Sequence, residues 1–548
     1  MWNKHPKALP FLFFSEMWER FGYYLMIGIF TLYLKDVEEG FAMTEAESAD
    51  LYGTFIALVF LTPFLGGLLA DRYLGYRKSI IMGGLMMGVG YCLMSVHDLT
   101  TLYISMTLVI FGNGFFKPNI STLLGNVYST PKHIHQKDNG YNIFYMGINI
   151  GAFICNFFGA ALYITYGWGA AFIAAGVGMF IGVSIFLAGT KNYKEYDIKK
   201  GVTASDMSMT RILMLILVPS IIAGIAGWIL PTKLLGSALV GSPSTDAFIF
   251  ACLPVIYFYT SLYFSAEKNE KRPIAALLAI FAVVVLFWAV FKQNGSALNT
   301  WADRYTNREV TGTAQKVFEK LRFADTLYYI KDSVPVYDNQ FRIQKVNGKV
   351  VKENNYPAYF KNLEEDKKPP EGGSVSLWAT NLSQSINPGW VILLTPLIVA
   401  FFSWLRKKNK EPSTATKIAF GLFISALSAL VMVGAVFASN NGGEKASALW
   451  LIVSYGVITI GELLLSPMGL SIVSKLSPVR ITSLMMGGWF LSTSIGNKLS
   501  GVLATMWDNY ENKANYFWLN FILLMFAALV CFVMLRWLNR VMKEKGVS

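Results

Sequence analysis

The sequence predicts an all-α polytopic membrane protein of about fourteen transmembrane helices, and three observations lead there. The 548 residues are 54% hydrophobic and only 15% charged, too apolar for an ordinary soluble domain. Apolar runs long enough to span a bilayer recur along almost the whole chain. The 47 Lys and Arg give a net charge of +13, and they concentrate in segments that would share one side of the membrane. Few fall in the short loops opposite, so the basic balance reports topology and argues against nucleic acid as a partner.

Taken in order, the runs fall near residues 10–34, 50–70, 79–96, 102–126, 140–163 and 169–189. A basic stretch with Lys191, Lys194, Lys199, Lys200 and Arg211 follows. Two runs near 211–231 and 246–265 precede one near 273–295. After a polar interval come 388–405, 416–438, 448–474, 482–506 and 516–539. Both termini are expected on the cytoplasmic side. The basic start of the chain lacks a small-residue cleavage site, so the first span should persist in the mature protein. Cys92, Cys155, Cys252 and Cys531 lie in apolar stretches and are expected as free thiols.

This order divides the chain into five parts. Residues 1–190 form a six-helix bundle, and 191–272 a linker with an extra helical hairpin. Residues 273–302 are the seventh bundle helix, 303–386 an extracytoplasmic insertion, and 387–548 the remaining helices. Within the insertion, Gly312 to Ile330 has the helical spacing Val317, Leu321, Ala324, Leu327. Phe341 to Val351 reads as a hairpin turning at Asn347-Gly348. A small external subdomain and a solvated loop both remain open for this segment.

The first span carries Glu16, Glu19 and Arg20 near its centre, where each charge costs about 2.5–3.5 kcal/mol on insertion scales. Glu16 and Arg20 are four apart, as are Glu19 and Tyr23, so they share one helix face. Such a stripe suits an aqueous pathway that handles protons or charged solute. The competing reading is a structural ion pair that locks two helices. Lys117 and Glu462 add intramembrane charges of opposite sign, one in each half, which suits a dipolar ligand held between two repeats.

Six helices plus six, with two inserted, and the loop Gly67-Leu68-Leu69-Ala70-Asp71-Arg72-Tyr73-Leu74-Gly75-Tyr76-Arg77-Lys78 resemble a major facilitator. More specifically, Glu16-x-x-Glu19-Arg20-Phe21-x-Tyr23-Tyr24 resembles the first-helix signature of the proton-dependent oligopeptide transporter (POT, or PTR) family. Gly112-Asn113-Gly114-Phe115-Phe116-Lys117-Pro118-Asn119 and Phe144-Tyr145-Met146-Gly147-Ile148-Asn149-Ile150-Gly151 are similar to its fourth- and fifth-helix patterns. Asn387-Pro388, Gly461-Glu462-Leu463-Leu464-x-Ser466-Pro467-x-Gly469-Leu470 and Met486-Gly487-Gly488-Trp489-Phe490-Leu491 extend the match into the second half, in order.

The resemblance implies a proton-coupled symporter that imports di- and tripeptides by alternating access. Glu16, Glu19 and Arg20 would couple protons. Lys117 would serve the peptide carboxylate and Glu462 its ammonium, with Tyr23, Tyr24, Tyr145, Asn149 and Asn387 at the backbone. Trp288, Trp489 and Phe490 would surround the side chains, and Lys292 and Gln293 would join the binding site. For Lys117 and Glu462 structural interhelical pairing is the competing reading, and for the Trp residues plain packing.

Three positions depart from the family pattern. Ile27 stands where Arg is usual, Phe60 where Tyr precedes Leu61-Thr62-Pro63, and Lys292 where Phe291-x-Gln293 usually holds Glu. Losing a paired Arg and Glu together avoids stranding one buried charge, so the site reads as rewired. Lys292 then supplies a cation, or it snorkels to water. Lys498 is expected to snorkel.

Two other functions stay open: the same fold carrying a small anionic or amino-acid-conjugate solute, and a peptide sensor or interaction protein using the insertion. An enzyme is disfavoured, since His5, His97, His133 and His135 sit near the terminus or in loops and no metal or nucleophile constellation appears. No cofactor or metal is expected, and no phosphate-binding Gly-rich loop suggests ATP-driven pumping. The expected partners are peptide, protons and lipid, in a protein acting as a monomer in a bacterial inner membrane.

Overall fold

The computed structural model describes residues 5–133, 137–197, 213–478 and 481–545. The expectations for His135, Lys199, Lys200 and Arg211 lie outside the described residues. The first half contains α1 (Ala8–Lys35), α2 (Glu45–Leu69), α3 (Tyr76–Leu93), α4 (Leu99–Tyr128), α5 (Lys137–Tyr166) and α6 (Trp168–Ala188). A hairpin of α7 (Val218–Leu235) and α8 (Pro243–Phe264) follows. The second half contains α9 (Lys268–Phe291), α10 (Ile386–Lys407), α11 (Thr414–Ala438), α12 (Ala448–Leu476), α13 (Thr482–Thr505) and α14 (Lys513–Glu544). Among the described residues, eleven helices are long and apolar enough to cross a membrane. The remaining three of the long helices are α3, α13 and α1, which carries the charged stripe.

Local chemistry sets the helix starts. Thr44 caps α2 by accepting from the Glu47 amide at 3.2 Å, while Glu47 accepts from the Thr44 amide at 2.8 Å, a reciprocal capping box. Asp98 caps α4 by accepting from the Thr101 amide at 2.7 Å. Such pairings satisfy amides that have no partner inside the helix.

Each half has its own apolar core. Leu9, Leu25, Phe30, Leu124 and Phe172 belong to the first, and Leu277, Trp301, Ile472, Phe517 and Leu538 to the second. The halves meet where α2 crosses α13, and a Cβ on Gly53 would lie 2.6 Å from the Gly501 Cα. In lipid, such close backbone approach substitutes van der Waals contact for a hydrophobic drive. The α7–α8 hairpin rests on this seam. Phe258 and Tyr259 pack with Leu491, and Phe248 and Cys252 with Ala57, while Ile221, Ile222 and Ile225 stay exposed.

The ends of the bundle that carry the insertion are drawn together. Thr31 donates to the Gly295 carbonyl at 2.9 Å and Asn156 to Ser385 at 3.1 Å, and midway along the α2–α13 crossing Ser494 donates to the Ala57 carbonyl at 2.7 Å. Lys498 does not snorkel. It is 1% exposed, pairs with Asp50 at 2.7 Å, and donates to Thr54 at 2.7 Å and Ser244 at 2.9 Å. The hairpin therefore joins both halves at this bolt, and Ser242 also donates to Asp50 at 2.8 Å.

The seventh bundle helix is shorter than the sequence suggests. It stops at Phe291, turns as a 3-10 segment over Lys292–Gly295, and resumes as Ala297–Arg304. Tyr52 packs against this turn at Gly295, where an added Cβ would lie 1.8 Å from its hydroxyl. Carbonyls freed by the break find donors, as the Gln384 amide donates to the Asn294 carbonyl at 2.6 Å.

The polar segment folds into short elements. Gly312–Lys320 is helical, but the helix does not reach Ile330. Arg322 takes φ 56°, and Ala324–Tyr328 becomes a strand antiparallel to Ser374–Trp378. Leu327 and Tyr329, two apart as on a strand face, pack on Phe360, Val375 and Leu377. The expected hairpin is present as Lys345–Val346 with Lys349–Val350, turning at Asn347 (φ 50°) and Gly348 (φ 77°).

Candidate functional site

The charged stripe on α1 is fully enclosed, with Glu16, Glu19 and Arg20 2%, 0% and 3% exposed. Arg20 donates through Nε and, at 2.7 Å, through Nη2 to the two Glu19 oxygens. Its Nε also lies 3.3 Å from Glu16 Oε1. Two carboxylates share one guanidinium, and among the described residues Glu16 Oε2 is buried without a hydrogen-bond partner. The Arg20 guanidinium stacks over Tyr23 at 5.3 Å, and Tyr23 meets Tyr24 edge-on at 5.3 Å.

Facing this stripe are Lys117, beside the Pro118 position of α4, and Lys292, at the broken end of α9. Both ammoniums sit against one ring: Phe60 lies 4.1 Å from Lys117 Nζ and 5.0 Å from Lys292 Nζ. Trp288 and Phe291 add two further aromatic contacts to Lys292, each at 5.7 Å. Among the described residues, neither ammonium makes a hydrogen bond or ion pair. Aromatic faces offer a cation partial compensation, about 0.5–2 kcal/mol each. Lys117 lies within electrostatic reach of Arg20, Glu19, Glu16 and Lys292.

The second half supplies a carboxylate. Glu462 on α12 accepts from Asn387 at 3.1 Å, and Asn387 also donates to Thr459 at 2.8 Å. Lys292 is the cation whose charge reaches Glu462. Tyr145 and Tyr24 are close enough to feel that carboxylate. Tyr145 is 40% exposed although it lies deep in the molecule, so it lines an internal space. Asn149 donates to the Tyr145 carbonyl at 3.0 Å.

The structure thus brings together Glu16, Glu19, Arg20, Tyr23, Tyr24, Lys117, Tyr145, Asn149, Trp288, Lys292, Asn387 and Glu462. It sets two expected residues apart. Gln293 is 1% exposed, and its amide oxygen accepts from Tyr516 at 2.8 Å and Asn520 at 3.0 Å. Its nitrogen donates to Asn520 at 3.0 Å, so this side chain braces α9 against α14. Trp489 is 3% exposed and lies over Gly469, where a Cβ would clash with the indole. It is a packing residue. Phe490 shares an apolar cavity of about 80 Å³ with Phe60, next to the hairpin. The residue that sequence reasoning undervalued is Phe60, read only as a departure from the usual Tyr and found against two cations.

Two helical bundles tied to one another, with buried charges contributed from each half, fit a multi-pass membrane protein of the major facilitator type. The sequence profile of the POT family matches residues 77–318 and 378–519, and the chain belongs to that family. A dipeptide and tripeptide permease A from Citrobacter koseri is 28% identical over 93% of this chain and 86% of its own length. An uncharacterized transporter, YclF, from Bacillus subtilis is 28% identical over 92% and 88%. The crystal structure of a POT peptide transporter in complex with sulfate superposes with a TM-score of 0.74 at 26% identity, covering 99% of this chain and 96% of that one.

Proposed function

We propose that this protein is a proton-coupled symporter that imports di- and tripeptides across a bacterial inner membrane, working as a monomer with both termini cytoplasmic. One observation carries the reading: among the described residues, two ammoniums without hydrogen-bonded partners, Lys117 of the first half and Lys292 of the second, share the Phe60 ring, and the charge of Lys292 reaches Glu462. A peptide zwitterion complements that arrangement. Its carboxylate would satisfy Lys117 and Lys292, and its ammonium would join Glu462 and Asn387. Tyr23, Tyr24, Tyr145 and Asn149 line the backbone between them, and Trp288 and Phe490 the side chains.

Coupling follows from the α1 stripe. A proton on Glu19 or Glu16 weakens the hold on Arg20, whose field reaches Lys117 and Lys292. Occupancy of the cation pair and protonation of the stripe are then linked through one electrostatic network. The relatives named as peptide permeases and transporters support peptide as the cargo. The doubled cation also favours a second reading, in which the solute is a small anion or an amino-acid conjugate.

The test is uptake by purified protein in liposomes with an alkaline, negative interior. Labelled dialanine should accumulate, and a mixed peptide library should compete for it. Folded protein that accumulates no peptide from that library rejects peptide as the cargo. Accumulation that leaves internal pH undisturbed rejects proton coupling. Glu462→Gln should abolish accumulation in either case where a peptide ammonium is recognised.

A further inference from the structure

Between the insertion and the end of the bundle lies a cavity of about 340 Å³, a size within the range of small-molecule sites. Three bodies build it. The first half contributes Lys35 and Glu45, the second Arg304 and Asp508, and the insertion Asp338 and Arg342. Three cations and three carboxylates therefore surround one space without net charge.

Most of these charges are already satisfied. Lys35 pairs with Glu45 at 3.0 Å, Arg342 with Asp338 at 2.6 Å, and Arg304 with Asp303 at 3.0 Å. Two acceptors on the cavity wall are not. Among the described residues, Asp508 makes no hydrogen bond or ion pair, and Gln340 Oε1 is buried without a partner. Both lack a donor. Arg304 meanwhile has donors to spare, since among the described residues its guanidinium bonds, beyond Asp303, to the Tyr337 hydroxyl at 3.4 Å and lies over that ring. Tyr305, Phe341 and Trp507 supply apolar wall.

We propose that this cavity is an outer binding site for a small zwitterion with a free ammonium, captured before it reaches the central site. The ammonium meets Asp508 and Gln340, and the carboxylate meets Arg304. The identity of the zwitterion as a short peptide rests on the proposed function. The turn bearing Gln340 falls within 319–377, which the family profile does not match, whereas Arg304 and Asp508 fall within the matched residues.

Burial and the nearby Glu45 push the Asp508 carboxyl up to about 6. The other groups facing it are Asp338 and Arg342 from the insertion and Lys513 from α14. A raised carboxyl is charged above that pH and neutral below it, so affinity for an ammonium should fall as pH drops from 7.5 to 5.

The experiment uses the full chain with Lys117→Ala and Glu462→Gln together, which disables the central site, and measures equilibrium binding of labelled dialanine. Saturable binding should remain at pH 7.5, weaken at least tenfold at pH 5, and weaken at least tenfold on adding Asp508→Asn or Gln340→Leu. N-acetyl-dialanine, which lacks the ammonium, should not displace it. Wild-type binding that vanishes in the double variant overturns the outer site and leaves the transporter reading intact. Residual binding indifferent to Asp508→Asn, Gln340→Leu and pH also overturns it. Binding that persists as predicted in the double variant, beside a wild-type protein that accumulates no peptide from the library in liposomes, supports the outer site and rejects peptide as the transported cargo.

Discussion

Lys498 and Lys117 are both lysines inside the helical bundle, and their surroundings could hardly differ more. Lys498 has a carboxylate at 2.7 Å and two hydroxyl acceptors, so its charge is matched and all three donors are used. Lys117 has an aromatic ring at 4.1 Å and, among the described residues, no acceptor within hydrogen-bond reach, and Lys292 repeats the pattern against the same ring. A fully satisfied buried cation resists change and holds two helices in register. An unsatisfied one is stable only if water or a ligand supplies the missing acceptor. The difference separates the bolt between the halves from the place where a solute is proposed to bind.

The comparison predicts opposite stability effects for one substitution type. Lys498→Met strands Asp50 inside the seam and should cost about 3–5 kcal/mol, the usual penalty for removing one partner of a buried pair. Asp50→Asn combined with Lys498→Met should recover much of that loss. Lys117→Met removes a charge that has no partner to strand, so stability should hold or rise while dialanine binding fails. Denaturant unfolding in detergent measures both. Equal destabilisation by Lys498→Met and Lys117→Met would break the distinction.

The architecture was legible because each span needs a long apolar run, and such runs recur along the chain. The α1 stripe was legible too, since Glu16 and Arg20 meet through helix geometry alone. Lys498 was not legible, because its partner is 448 positions away and only the α2–α13 crossing brings them together. Gln293 failed similarly, with Tyr516 and Asn520 on a distant helix. The helix drawn to Ile330 failed because Val317, Leu321 and Leu327 fit a helical period locally. The strand Ser374–Trp378 and the turn at Arg322 were invisible in that window.

The next effect is smaller and sharpens the role of Lys292. Lys292→Ala should weaken dialanine binding at least tenfold, or about 1.4 kcal/mol, because the ligand carboxylate loses one of its two ammoniums. Lys292→Glu should abolish binding, and adding Ile27→Arg should restore part of it by supplying a new cation. Exchange between peptide pools needs no net proton movement and isolates binding. Normal exchange in Lys292→Ala with lost pH-driven accumulation would move this residue from binding to coupling. Unchanged behaviour in both assays would leave Lys292 outside the mechanism and make Lys117 the only cation that matters.

The smallest effect concerns the exposed counterparts of these buried lysines. Lys352 pairs with Glu38 at 2.6 Å and Lys345 with Glu47 at 3.6 Å, tying the insertion to the loop and helix start of the first half. Glu38 and Glu47 are 67% and 59% exposed, so water screens both pairs, and each should contribute under about 1 kcal/mol. The insertion has other anchors: Phe323 packs on Phe157 of α5 at 5.2 Å, and Asn362 donates to the Gly442 carbonyl at 3.3 Å. Lys345→Ala with Lys352→Ala should therefore shift unfolding by no more than about 1–2 kcal/mol, less at high salt, and leave the dialanine uptake rate within twofold. A severalfold faster uptake would show that these two weak pairs restrain opening of the bundle at the insertion end. Each pair is too weak to hold the seam alone, so such a result would mean that the Lys498 bolt is already broken at the rate-limiting step.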